Sequence, residues 1–301
     1  MNIRIADLIF KINHEKYDDV DTEKFIDNYL SLEIKNYLCE SDEYDCLINM
    51  YRGTEYIETG VHILSIPLYK VYKTDSGIRF VFLQNDYIRT DAYFATCSVD
   101  ISYDLKTVSL IDYIDLNARL SKKYYVSLFV IIKLGIQNFL LNYSSFFLHG
   151  VALNHNDKNI IFSAASGVGK TTHTTFWKDK YDVEILNGDS PIVKIINNRT
   201  FIYGSPWCGS SSISVNKTVP LDAIVMIKRG ETNKIRKLSK IEAMMHILPY
   251  IRRTPWEEKI VELCLQYSEM LANTVSVYEL TCLPNEEAAE VALAGIEELH
   301  G

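Results

Sequence analysis

The sequence has no CxxC pair, no repeat, no low-complexity linker, no uninterrupted apolar run of membrane-spanning length and no surplus of positive charge. Its six cysteines (Cys39, Cys46, Cys97, Cys208, Cys264 and Cys282) are scattered. No cationic leader stands at the N-terminus, so reduced thiols in a cytoplasmic setting are the expectation. The longest apolar stretch, YYVSLFVIIKLGIQNFLLNY at 124–143, is interrupted by Lys133, Gln137 and Asn138. A spanning helix needs about 20 apolar residues in a row. The segment therefore reads as a buried helix packed under a sheet, and no membrane partner is expected. The formal net charge is −8, and 21 of the 39 acidic residues fall in the first 120 positions, against 12 of the 31 Lys and Arg. Such a region repels nucleic-acid phosphates, so no nucleic-acid partner is expected. It reads as a solvated acidic surface, with attraction of a basic peptide as the alternative.

What is there changes character along the chain. Residues 1–118 read as a β-rich α+β region. HILSIPLYKVYK (62–73) and GIRFVFLQ (77–84) are rich in β-branched and aromatic residues, with the turn TDSG between them. An apolar spacing of three and four predicts a helix near 22–38. Residues 119–301 read as an α/β domain, a mixed sheet flanked by helices. GVALNH and KNIIFSA are strands around the turn NHND, and KTTHTTFWKD opens a helix. DVEILNGD, PIVKII, TFIYGS, PLDAIVMI and VSVYEL follow as strands. Helices are announced by capping boxes at Ser239 with Glu242 and at Thr254 with Glu257, and by Asn285 after the last strand.

Within this domain, residues 164–171 read AASGVGKT, which meets G-x-x-x-x-G-K-[ST] at every position except the first, where Ala164 stands. A phosphate-binding loop needs small residues because its backbone N–H groups converge on the phosphate oxygens at close range. Lysine adds a mobile charge for the terminal phosphates and the next hydroxyl ligates Mg²⁺. Apolar strand, small-residue loop and helix stand in the order that chemistry requires. Ser166, Gly167, Val168, Gly169, Lys170, Thr171 and Thr172 are therefore the expected nucleotide-binding set. A phosphoryl transferase also needs a carboxylate, and Asp189 in EILNGDSP is the candidate, a plain turn aspartate being the alternative.

LHGVAL, ASGVGKTTH, LNGDSPI, YGSPWCGSSSISVN and VPLDAIVMIKRG occur here in the order found in HPr kinases and phosphoenolpyruvate carboxykinase-like kinases. The chain resembles that P-loop kinase family over about residues 120–295, and most of all its stand-alone members, among which are kinases that tailor peptides on serine. The resemblance implies ATP on Ser166–Thr172, Mg²⁺ on Thr171 and Asp189, and His149 near the reacting phosphate, with Asp189, His149 and Lys170 as the catalytic set. HPr kinases carry two adjacent aspartates on the carboxylate strand. Here the pair is Gly188 and Asp189, so Asp189 performs both tasks, His149 contributes, or transfer is lost.

The loop 204–216 is either a surface turn or a wall of the acceptor pocket, with Trp207 giving contact area and serines such as Ser210 giving hydrogen bonds. Lys228 and Arg229 either reach the nucleotide or end a strand in solvent. The expected function is ATP- and Mg²⁺-dependent transfer of a phosphate to a hydroxyl, foremost serine of a peptide or protein. The alternatives are a small-molecule kinase acting on free serine or a sugar, and a nucleotide-sensing module without transfer. A homo-oligomer is compatible with all three.

Overall fold

The computed structural model describes residues 1–16, 34–53, 56–66, 69–85, 93–113, 122–254 and 258–298. The chain divides into two compact units, Met1–Phe139 with Thr254–Trp256 and Leu140–Arg253 with Glu257–Gly301.

Among the described residues the first unit is an eight-stranded sheet with a helix. Its strands are β1 (Asn2–Ile5), β2 (Leu8–Lys16), β3 (Cys46–Arg52), β4 (Val61–Ile66), β5 (Tyr69–Lys73), β6 (Gly77–Asn85), β7 (Tyr93–Ser102) and β8 (Thr107–Asp112). They lie in the order β1-β2-β3-β8-β7-β6-β5-β4. Burial alternates along β8, as a strand with one covered face requires. The cover is helix α1 (Lys122–Leu140), whose Phe139 meets Phe10 of β2 edge-on with ring centroids 5.2 Å apart. Gly135 lets α1 approach, since a Cβ there would stand 2.8 Å from a methyl of Val108. The apolar run at 124–143 is thus the sheet-covering helix its composition indicates. No helix among the described residues is long and apolar enough to cross a membrane.

The turn TDSG joins β5 to β6, with Lys73 opposite Ile78. HILSIPLYKVYK is not one strand: β4 and β5 pair antiparallel within it, with Ile66 opposite Tyr69. The residues between these two strands, 67–68, lie outside the described residues. The expected helix at 22–38 lies mostly outside the described residues, and residues 35–37 form a single 3-10 turn. The capping box at Thr254 and Glu257 also lies partly outside them.

The second unit holds two sheets. Its strands are β9 (Ser145–Phe147), β10 (Val151–His155), β11 (Lys158–Ser163), β12 (Glu184–Asn187), β13 (Ile192–Ile196), β14 (Arg199–Tyr203), β15 (Thr218–Pro220), β16 (Ala223–Arg229), β17 (Lys234–Lys237) and β18 (Ser276–Cys282). The helices are α2 (Lys170–Lys180), α3 (Lys240–Ile247), α4 (Glu258–Thr274) and α5 (Glu287–Glu298). A six-stranded mixed sheet runs β12-β10-β11-β16-β18-β17, and a four-stranded antiparallel sheet runs β15-β14-β13-β9. In the larger sheet β11, β16 and β18 are parallel. Two hairpins turn through paired residues of positive φ, Asn156–Asp157 and Asn197–Asn198, which match the right-handed twist of the strands they join.

One face of the large sheet, carrying Phe162, Val225 and Tyr278, packs with Trp177 of α2 and with Ala288 and Ala292 of α5 in a single core. Ser239 and Glu242 form the expected capping box of α3, and Asn285 Oδ1 accepts the Ala288 N–H at the start of α5. The parallel strands all end on one edge, where the loop 164–169 leaves β11.

Candidate functional site

The loop begins at Ala164, fully buried at the end of β11, and ends at Gly169, the residue before α2. Gly167 has φ +76° and Gly169 φ +123°, values that side-chain-bearing residues avoid. A Cβ at either glycine would meet nothing within 4 Å, so open space adjoins the loop at both positions. It is braced from outside: Arg229, at the end of β16, donates through its guanidinium to the carbonyls of Gly167 and Val168. Within the loop, Val168 N–H donates to Ala165 O at 3.2 Å.

Lys170 opens α2 and folds back over the loop. Its Nζ donates to Ala164 O at 2.8 Å and to His149 Nε2 at 2.8 Å. Nε2 is then an acceptor, which assigns the His149 proton to Nδ1. That atom lies 3.4 Å from Asp189 Oδ1, within ion-pair distance although outside hydrogen-bond geometry. The three catalytic candidates thus form one contact chain, Asp189–His149–Lys170. Partial burial pulls the Lys170 ammonium below its ordinary pKa; the Asp189 carboxylate opposes this, and the charge of Arg252 adds to it.

Asp189 is held by a turn of its own. The buried Asn187 accepts from the backbone N–H groups of Asp189 (3.0 Å) and Ser190 (2.7 Å). Its amide donates to Ser205 O at 2.9 Å. Ser190 Oγ donates to Asp189 Oδ2 at 2.6 Å, so the two carboxylate oxygens face different partners. His149 is fixed through its backbone, whose N–H donates to Tyr250 O while its carbonyl accepts from Ser163 Oγ at 2.6 Å.

The same segment brings in a residue that the sequence reading missed. Arg252 N–H donates to Phe147 O, which lays 250–252 against 147–149 and carries the Arg252 charge toward Lys170. Nothing in local sequence marks it, because the pairing joins positions about a hundred residues apart.

Loop 204–216 packs on the carboxylate turn. A Cβ on Gly209 would lie 2.9 Å from Asp189 Cβ, and one on Gly188 would lie 1.8 Å from Ser211 Oγ. The place of a second aspartate is therefore filled by this loop. Ser210 is exposed, whereas Trp207 is only 5% exposed and meets Phe147 edge-on at 5.5 Å. The indole fills the core beneath the loop, and the exposed serines form the outer surface.

Ser166, Thr171 and Thr172 are exposed, and Val168 is partly buried against the core. The fit to a phosphate chain is positive on two counts: the space left by the two glycines, and an ammonium poised over it. Thr171 and Asp189 are hard-oxygen donors suited to Mg²⁺, which commonly takes one or two protein oxygens and completes its shell with phosphate oxygens and water. Among the described residues no group of three or more His, Cys, Asp or Glu forms a metal site of protein ligands alone.

Among the described residues, cavities adjoin the loop on two sides. One, of about 280 Å³, touches Thr172 and is walled by Phe176, Leu283 and Pro284. The other, of about 370 Å³, touches Ala165 and is walled by Lys228, His246, Tyr250 and Glu279.

No family model matches the chain, and no curated protein matches it. Among solved structures it is similar to the HPr(Ser) kinase/phosphatase from Coxiella burnetii, with a TM-score of 0.32 and 9% identity over 51% of this chain and 90% of that one. A likeness at that level carries no argument about chemistry.

Proposed function

We propose that the second unit is a phosphotransferase that moves the terminal phosphate of ATP, with Mg²⁺, to a hydroxyl group. Serine of a peptide or protein is the acceptor class implied by the sequence resemblance. The observation that carries the reading is the Asp189–His149–Lys170 chain set at the mouth of a glycine-opened loop.

In this reading the N–H groups of the loop and of the first turn of α2 bind the phosphate oxygens, helped by the positive end of the helix dipole. Lys170 exchanges Ala164 O and His149 Nε2 for the terminal phosphate. The exchange uncovers the Nε2 lone pair beside the reacting phosphorus. Mg²⁺, when bound through Thr171 and Asp189, neutralises charge on the phosphate chain. The acceptor oxygen forms its bond to phosphorus as the bond to the bridging oxygen breaks, and the hydroxyl proton passes to His149. Asp189 Oδ1 faces the Nδ1 side of the ring and stabilises the imidazolium that results.

A second reading, a nucleotide-sensing module, is favoured by one observation, the filled space at Gly188 that leaves a single carboxylate. The two separate in an assay of Mg²⁺-dependent hydrolysis and transfer with wild-type protein and Asp189→Asn. The phosphotransferase reading expects turnover in the wild type and a loss of roughly 100-fold or more in the variant at saturating ATP. A wild type that binds MgATP without turning it over establishes the sensing module instead.

A further inference from the structure

The two cavities beside the loop differ in chemistry and in the end of the loop they adjoin. Lys170 reaches back to Ala164, which assigns the terminal phosphate to the Ala164–Ala165 end, and the cavity touching Ala165 and Val168 adjoins that end, although Lys170, His149 and Asp189 do not line it. The cavity touching Thr172 adjoins the start of α2 and has apolar walls. The Ala165 cavity also takes in the carboxyl end of β16, at Lys228 and Arg229, with Glu279 from the middle of β18.

Its walls carry both signs of charge on one sheet face. Met226 pairs in register with Glu279, and Lys228 stands two residues further along the same face of β16. Glu279 is held in place: Arg236 Nε donates to Oε1 at 3.1 Å, and His246 Nε2 lies 4.0 Å from Oε2. Arg229 is committed to the loop carbonyls, but Lys228 is exposed and makes no ion pair among the described residues. The cavity therefore offers an ordered carboxylate and an available ammonium, with the phenol-bearing Tyr250 between the cavity and the His149 backbone.

We infer that this cavity is the acceptor subsite and that it takes a small hydroxylated zwitterion, a free hydroxy amino acid, whose amino group faces Glu279 and whose carboxylate faces Lys228. The inference rests on the phosphotransferase reading for its reaction but not for its binding. A serine inside a peptide has its amino and carboxyl groups tied up as amides and presents no charge to Glu279 or Lys228. Bonds between two charged groups are stronger than bonds to neutral amides, so the two acceptor classes are discriminated by charge and not by size.

The full chain is tested by ligand-observed NMR with L-serine, 3-hydroxypropanoate, ethanolamine and N-acetyl-L-serinamide, alongside MgATP titration of the same samples. L-Serine is expected to bind, with each analogue lacking one or both charges weaker by about tenfold or more. Lys228→Ala, at an exposed position, is expected to weaken serine by a similar factor and to leave MgATP affinity unchanged. Glu279→Gln supplies the matching loss on the amino side. Equal binding of N-acetyl-L-serinamide, no binding of L-serine, or serine affinity unaltered in Lys228→Ala overturns the inference. If MgATP binds and serine does not, the acceptor assignment alone falls. If serine binds through Lys228 and MgATP does not bind, the cavity stands and the phosphotransferase reading falls.

Discussion

Ser211 and Gly188 exclude one another's side chains: a Cβ at position 188 would lie 1.8 Å from Ser211 Oγ and 2.5 Å from Ser211 Cβ. The Ser211 hydroxyl is itself anchored, donating to Cys208 O at 2.7 Å. The single carboxylate of this site is therefore built into the packing of two loops. Gly188→Asp alone cannot restore the paired aspartates of HPr kinases.

Gly188→Ala is expected to cost about 1–3 kcal/mol through overpacking. Ser211→Gly in the same chain should recover much of that loss, because it removes the opposing atoms. Chemical denaturation of the two single variants and the double variant measures the coupling. Additive effects would show that the two positions do not oppose each other.

His149→Ala should lower kcat by about 100-fold or more, the usual range for a lost general base, while the Michaelis constant for ATP changes little. Lys170 keeps its second anchor, Ala164 O, so the loop should survive the change. Turnover equal to wild type across the pH range would return His149 to a purely structural role.

His173 gives a stability signature independent of activity. It is 3% exposed on α2, accepts from Trp177 Nε1 at 3.0 Å, and burial lowers its pKa from 6.5 to about 4. The folded chain thus holds the ring neutral where the unfolded chain protonates it. Stability is complete above pH 6.5 and falls as pH drops toward about 4, by about 3 kcal/mol from this residue. His173→Gln should flatten that part of the pH profile in equilibrium unfolding. An unchanged slope in the variant would place the acid sensitivity elsewhere.

Local signals carried much of the second unit. Paired Asn and Asp residues mark two hairpin turns, Ser239 with Glu242 marks the start of α3, and the small residues between an apolar run and KTTHTT mark the loop between β11 and α2. Contacts between distant segments were not legible. Arg252 reaches the site because 250–252 lies against 147–149, and Gly188 is forced by Ser211. Trp207, conspicuous among small residues, suggested an exposed contact surface, but its burial depends on Phe147, sixty positions earlier. The charged cavity arises from the register of β16 against β18, which no property of either strand alone specifies.

The central claim is that loop 164–169 and Lys170 hold a phosphate chain, and calorimetric titration with MgATP and with inorganic tripolyphosphate tests it most directly. Lys170 supplies an ammonium bonded to the loop at Ala164 O, and charge-assisted bonds to phosphate are among the strongest available. The wild-type chain should bind both ligands, and Lys170→Ala should weaken both by about 10- to 100-fold. Equal affinity of wild type and Lys170→Ala for both ligands, or no binding of either by the wild type, would contradict the account.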